Sequence, residues 1–538
     1  MDDRFGTPSP IPPESHIEHF NLLQNQFRDR WKTADIFEPN DHDILVVPSL
    51  TLDQRGLKNI KGINHYEERL LFSLIRLQNP GTRLIYVTSQ PIHPSIIDYY
   101  LHLLPGIPFS HARSRLLLLS VYDSSYKSLT QKILERPRLM QRIKQALRPN
   151  RSFMTCFNST ELERDLAVAL DIPLLAVDPD LLYWGTKSGS RQIFAECGVP
   201  HPAGSELVSS VDDLADVTAQ VWEQNPDLQR IVIKLNEGFS GEGNALFDLR
   251  PLSHLAPNTD ATHAERVQGV RDRFPFLSFQ VKTENWDTFS SRIPDVGAIA
   301  EAFVEGDEKR SPSVQVCIMP NGSVEVLSTH DQILGGPDGQ IFLGCRFPAD
   351  EAYRLRIQEW GLKIGQNLAE KGALERLGID FIAVRHPEHA GTPEEWELQA
   401  IEINLRKGGT THPFMTLKLL TNGSYNLEDG LFYSRQGMPK YYIASDNVEN
   451  PQYRGLMPDD LMDILARHHL NFQSTTETGT VFHLMGCLSE FGKVGLTSIG
   501  NSLEEAEAIY DQAIAILDLE TNQATPPASS AVPSYSFA

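Results

Sequence analysis

The chain has no long apolar run, few cysteines and a shortage of positive charge, and each deficit removes a class of function. None of its 538 residues fall in an apolar stretch approaching the ~18 needed to cross a bilayer, so no membrane role is expected. The start, MDDRFGTPSPIPPESH, lacks the basic head and apolar core of a secretory signal, and the expectation is an intracellular, cytoplasmic protein. The five cysteines, Cys156, Cys197, Cys317, Cys345 and Cys487, are scattered without a C-x-x-C pair. That pattern fits a reducing compartment, argues against a zinc cluster and leaves them as core thiols. Lysine and arginine number 48 against 70 acidic residues, a formal charge of −22, so nucleic acid is not an expected partner. Internal repeats and long low-complexity tracts are missing too.

What is present is an ordinary globular composition, 41% apolar and 22% charged, in a chain long enough for several domains. Up to about residue 182, short apolar runs (DILVVPS, RLIYVTSQP, SRLLLLSVY, FMTCFN, IPLLAVDP) alternate with helical stretches such as NHYEERLLFSLIRLQ, where Leu70, Leu74 and Leu77 share a face. That alternation predicts a parallel α/β layer. From about Tyr183 the pattern changes. SGSRQIFAECGVPHPAG reads as a helix closed by Gly198 and Pro200, and SVQVCIMPNGSVEVLS as a hairpin turning at Asn321-Gly322. After about Gly423 comes a further segment ending in two short strands and a helix capped by Ser502, with Glu505 at the capping-box position. The expected units are therefore 1–182, 183–423 and 424–520, followed by a polar, proline-rich, disordered tail over 521–538.

Two stretches carry chemistry. In IVIKLNEGFSGEGNALFDL the strand alternation points Ile231, Ile233 and Leu235 one way and Val232 and Lys234 the other. Gly238, Gly241 and Gly243 give a hairpin tip whose N–H groups can approach phosphate oxygens. Because a strand, not a helix, follows the glycines, this is neither a Walker loop nor a dinucleotide fingerprint.

The second stretch is LGIDFIAVR with WELQAIEINLRKGGTTHP. If these form a hairpin with Arg385 opposite Glu397, Asp380 falls opposite Glu402. Glu402, Asn404 and Arg406 then share a face, with Ile401, Ile403 and Leu405 behind. Two facing carboxylates and an amide carbonyl make an all-oxygen site of the kind Mg²⁺ takes beside nucleotide phosphates. His412, followed by Pro413, reads as a capped turn, not a ligand.

Taken in order, these elements resemble the ATP-grasp carboxylate-amine ligases, whose relatives include biotin carboxylase and D-alanine:D-alanine ligase. The resemblance covers roughly residues 183–415 and implies an ATP-grasp fold, of α/β (α+β) class, with an N-terminal α/β pre-ATP-grasp domain and a small C-terminal α+β domain. It implies that Lys187 and Lys234 reach ATP phosphates under a lid loop containing Gly238, Ser240, Gly241 and Gly243. In EAFVEGDEK it implies that Glu301 and the backbone of Ala302, Phe303 and Val304 meet the adenine, with Glu308 on the ribose. EINLRKGGTTHP is similar to the family's metal strand, which implies Asp380, Glu402 and Asn404 as ligands of Mg²⁺ (or Mn²⁺) and Arg406 as the transition-state cation; Asp380 stands where several relatives have Glu. DQILGGPDGQIFLGCRFPA together with GTVFHLMGCLSEFGKVGLTSIG looks like the pheganomycin-type peptide ligases.

The function so implied is ATP-dependent amide formation through an acyl phosphate, from a small-molecule carboxylate and an amino acid or peptide amine. The alternatives are an ATP-grasp phosphotransferase acting on a hydroxyl and a non-catalytic ATP-binding interaction protein. For the substrate pocket the candidates are Arg310, His330, Asp331, Gln332 and Arg346, with Arg346 preferred as a carboxylate clamp because a guanidinium binds carboxylate bidentately. An apolar C-terminal domain would allow a homodimer contact.

Overall fold

A computed structural model describes residues 13–31, 41–51, 57, 60–238, 243–279, 284–335 and 341–523. Its first sheet has five parallel strands in the spatial order Leu116–Ser120, Arg83–Thr88, Asp43–Val47, Ser152–Cys156 and Leu174–Leu175. Helices cover both faces, which is why these strands are apolar at successive positions instead of alternating. Ile44 and Val46 enter one core with Leu70, Leu74 and Leu77 of the 3₁₀ helix Ile63–Gln78, while Leu45 and Val47 enter the other with Leu166 and Leu170 of the helix Glu161–Leu170.

The second sheet is antiparallel and four-stranded, in the order Ser278–Phe279, Asn244–Asp248, Arg230–Leu235 and Ala298–Ala302. Ile231, Ile233 and Leu235 pack into a core with Leu214 and Trp222 of the helix Val211–Gln224, leaving Val232 and Lys234 on the other face. The hairpin expected around the glycines is present, with Lys234 paired to Asn244. Gly243 sits at φ +79°, with Leu235 so near that a Cβ would crowd it, so glycine is needed there.

The third sheet has eleven strands and runs through the position expected as a boundary. Pro312–Ile318, Val324–Gly335 and Ile341–Phe347 are joined in turn to Pro439–Glu449, which pairs onward with Leu431–Tyr433 and with Lys493–Gly500. The strands beyond Gly423 thus extend the central sheet, and one core cluster holds residues from Phe27 to Leu517. The helix Lys187–Glu196 ends before Gly198, at φ +63°, as read from the sequence. The last helix, Leu503–Gln523, runs into the segment expected as a tail; residues 524–538 lie outside the described residues. Ser502 Oγ accepts from the Glu505 N–H (3.1 Å), but the Glu505 carboxylate reaches back to the N–H of Asn501.

The strands Glu375–Arg385 and Trp396–Asn404 form the expected hairpin with a correction. Asp380 stands opposite Glu402, yet Arg385 stands opposite Trp396 and not Glu397, because a bulge between Asp380 and Phe381 shifts the register by one. The extra residue is Ile401. Instead of lying behind Glu402 it lines the same cavity, since a bulged residue breaks the two-residue alternation.

Candidate active site

Between the second and third sheets and the N-terminal layer lies a cavity of about 1450 Å³, large enough for a nucleotide and further substrates. Asp380, Glu402, Asn404 and Arg406 all line it. Asp380 Oδ1 accepts from Gln332 Nε2 (2.8 Å) and Oδ2 from Asn404 Nδ2 (2.9 Å). Burial, followed by the charge of Glu402, pushes the Asp380 carboxyl up to about 7 against the pull of Arg406 and Lys187. Burial also raises Glu402, but Lys187, Arg406 and Lys234 outweigh it and hold that carboxyl below its ordinary range. Facing acids whose pKa values are driven apart in this way are relieved by a cation between them, and the oxygen-rich donor set suits a hard divalent ion.

Three segments are knitted together here. Thr186 caps the helix Lys187–Glu196 by accepting from the Gly189 N–H. Asn236, just past the strand Arg230–Leu235, accepts from Lys187 N through its carbonyl (3.1 Å) and from Ser188 N through its side chain (2.9 Å). Ser190 Oγ accepts from the N–H of Ile403 on the strand Trp396–Asn404 (3.0 Å). The two lysines are thereby tied to each other and to the acids. Lys187 Nζ stands 2.5 Å from Glu402 Oε1 and is itself buried. Lys234 Nζ donates to Glu301, whose other oxygen meets Arg191 (3.1 Å).

Glu301, 2% exposed, has its carboxylate occupied by these two cations and so aims Lys234. The following residues Ala302, Phe303 and Val304 line the cavity. Arg230 and Lys309 stack on the Phe303 ring at 4.0 and 4.3 Å. Glu308 lies outside the lining and pairs with Arg385 (3.0 Å) and Arg310 (3.5 Å). Gly238 and Gly243 do not line the cavity, while Ser240 and Gly241 lie outside the described residues.

Of the substrate candidates, Arg310, Asp331, Gln332 and Arg346 line the cavity. Arg310 pairs with Asp350 (2.6 Å) over the Trp396 ring, and Asp331 accepts from Tyr353 Oη (2.6 Å). Half-exposed Arg346 pairs with Glu507 of the last helix (3.1 Å). His330 is fully buried away from the cavity, against Tyr442 Oη (2.6 Å), and burial lowers its pKa to about 3, so it is a core residue. The cysteines are free, four buried and Cys197 partly so.

Sequence reasoning missed Arg69, Lys493 and Tyr66, which line the same cavity from segments far apart in the chain. It also set aside His412. That residue lies in the first turn of the helix Thr411–Thr421 and, with His483, directs Nε2 at Asp446 Oδ1 (2.8 and 2.7 Å). No local motif marks these residues; the sheet that runs past Gly423 brings them together.

Residues 181–428 match the family model described as IQCH-like ATP-grasp, and residues 460–513 match the PGM1 C-terminal domain. The chain is similar to L-propargylglycine–L-glutamate ligase of Streptantibioticus cattleyicolor, 28% identical over 493 residues covering 89% of this chain and 95% of that protein. It is 23% identical over 448 residues to IQ motif-containing protein H of Danio rerio, covering 76% of this chain and 41% of that longer protein. Among solved structures, the biotin carboxylase domain of 2-oxoglutarate carboxylase from Hydrogenobacter thermophilus, in complex with MgADP and bicarbonate, superposes with a TM-score of 0.52 at 13% identity, covering 88% of this chain and 89% of that one. Biotin carboxylase from Campylobacter jejuni gives 0.51 at 12%, covering 89% and 94%. Among the described residues, no helix is long and apolar enough to cross a membrane. The fold is that of the ATP-grasp proteins, and the chain carries an ATP-grasp domain over residues 181–428.

Proposed function

We propose that this protein is an ATP-dependent ligase that joins the carboxylate of one amino-acid-like substrate to the amine of an amino acid or peptide. The observation that carries the reading is the facing pair Asp380 and Glu402 beside Lys187 and Arg406, inside an ATP-grasp domain. The 28% identity to a ligase named for two amino acids supports the substrate class.

Asp380, Glu402 and Asn404 would hold Mg²⁺, with Mn²⁺ as a substitute; when bound, the ion neutralises phosphate charge and draws electrons from the γ-phosphorus. Lys187 and Lys234 exchange their carboxylate partners for phosphate oxygens, which fixes the triphosphate. A substrate carboxylate oxygen attacks the γ-phosphorus, the bond to the β-bridging oxygen breaks, and ADP leaves an acyl phosphate behind. The amine nitrogen then attacks the acyl carbon. Arg406 steadies the oxyanion, phosphate departs with the bonding pair, and the nitrogen loses its extra proton to solvent.

Incubation with ATP, Mg²⁺ and each proteinogenic amino acid as acid, in the presence of hydroxylamine, tests this. A hydroxamate formed in step with ADP is the expected result. ADP release with a phosphate ester and no hydroxamate would replace the ligase with a phosphotransferase, and nucleotide binding without turnover would leave an ATP-binding interaction protein.

A further inference from the structure

The wall of the cavity contributed by the N-terminal layer and the strand Lys493–Gly500 carries two buried cations that the reaction just described does not use. Arg69, on the helix Ile63–Gln78, is 8% exposed and Lys493 4%. Both line the cavity together with Arg406. The Arg69 guanidinium lies over the Tyr66 ring (4.1 Å) and meets Asp446 Oδ2 (2.6 Å), while its buried Nε has no hydrogen-bond partner. Lys493 Nζ donates to Tyr66 Oη (2.9 Å), and among the described residues no carboxylate stands within ion-pairing distance of it. Its cross-strand neighbour Glu449 is taken by Lys61.

Asp446 is rigidly held. Both imidazoles converge on its Oδ1, leaving Oδ2 for Arg69. The His412, Asp446 and His483 donors have the spacing of a metal site, but Arg69 already balances the carboxylate, and a divalent ion there would add two uncompensated charges to a buried cluster. The cluster's effect is to fix Arg69 in the wall. Arg69 is balanced by Asp446 while Lys493 is bonded to a neutral hydroxyl, so this wall of the cavity carries a positive charge that its own acids do not balance.

We propose that Arg69 and Lys493 form a subsite for the α-carboxylate of the amine substrate, which is therefore a free α-amino acid and not a plain amine or a peptide N-terminus. In an α-amino acid the amine and the carboxylate share one carbon, so a carboxylate held beside Arg406 delivers the nitrogen to the acyl carbon. This rests on the ligase reading above and goes further by naming the second substrate's class. His412, Asp446 and His483 are positioning residues that act through Arg69.

The test uses the full chain with ATP, Mg²⁺ and pairs of proteinogenic L-amino acids, products being read by mass. For the productive pair, the amine donor is then replaced by its α-carboxamide. The wild type is expected to lose about 10- to 100-fold in kcat/KM with the carboxamide, the size of a lost hydrogen-bonded charge contact. Lys493→Met should raise the KM of the amine donor by a similar factor, leave the KM of ATP unchanged and abolish most of the discrimination between acid and amide. Lys493→Met strands no buried acid; Arg69→Met does, so Arg69→Lys serves as its companion and should retain part of the discrimination. If no pair yields product, the ligase reading falls and takes the subsite with it. If ligation proceeds but the carboxamide reacts as well as the acid, the subsite alone is wrong.

Discussion

The two charged walls of the cavity are built on opposite plans. On the proposed nucleotide side two lysines are latched to acids, Lys187 to Glu402 and Lys234 to Glu301. On the far side Arg69 is fixed by a braced carboxylate, and among the described residues Lys493 donates to a tyrosine hydroxyl and not to an acid. The first wall must rearrange when phosphates and a cation arrive. The second is pre-positioned, with positive charge left over for an anion. Pairing neutralises the charge of a buried cation, whereas a leftover cation invites an anion.

The largest expected effect comes from removing the acid the two functions share. Glu402→Gln should lower kcat by roughly 10³-fold or more, since the proposed metal ligand and the partner of Lys187 are lost together; chelation with EDTA should abolish turnover and added Mg²⁺ restore it. Next comes Glu301→Gln, which leaves Lys234 and Arg191 buried without their counter-charge and should destabilise the fold by about 3–5 kcal/mol in urea unfolding. A conserved melting point there would break the latch picture.

Asp380→Asn should act in the opposite sense on stability. Because the folded-state pKa of Asp380 lies near 7, above its ordinary value of 3.8, ionising it costs the cation-free protein stability. That cost is absent below about pH 4 and complete above about pH 7. In EDTA at pH 8 the variant should therefore be more stable by roughly 1–3 kcal/mol, a gain that vanishes as the pH falls towards 4, although activity is lost. The smallest effect is expected from Glu308→Ala, whose carboxylate lies outside the cavity in pairs with Arg385 and Arg310. The KM of ATP should change less than about threefold, the scale of an exposed ion pair.

The same contrast explains what the sequence made legible. Strand alternation placed Lys234 on the open face of its strand, and hairpin arithmetic placed Asp380 opposite Glu402, because both depend on neighbours within one hairpin. The bulge at Ile401 escaped, since one inserted residue leaves the polar pattern of the last turn intact while shifting the pairing at Arg385. The latch between Lys234 and Glu301 joins strands that are neighbours in the sheet but distant in sequence, and no periodicity reports that. Asp446 and Lys493 lie on paired strands of the segment beyond Gly423 and Arg69 on a helix of the N-terminal layer, and the sequence places that helix and those strands in separate units with nothing to show that they meet. In the sequence Pro413 marks His412 as part of a turn; in the structure that proline sits in the first turn of a helix, where its missing N–H costs nothing.

The most direct test of the ligase account is oxygen transfer. With the productive acid carrying ¹⁸O in its carboxylate, attack on the γ-phosphorus should deliver a label to the released phosphate, one carboxylate oxygen per amide formed. Unlabelled phosphate accompanying amide formation would mean that the carboxylate was never phosphorylated, and the acyl-phosphate mechanism would be contradicted.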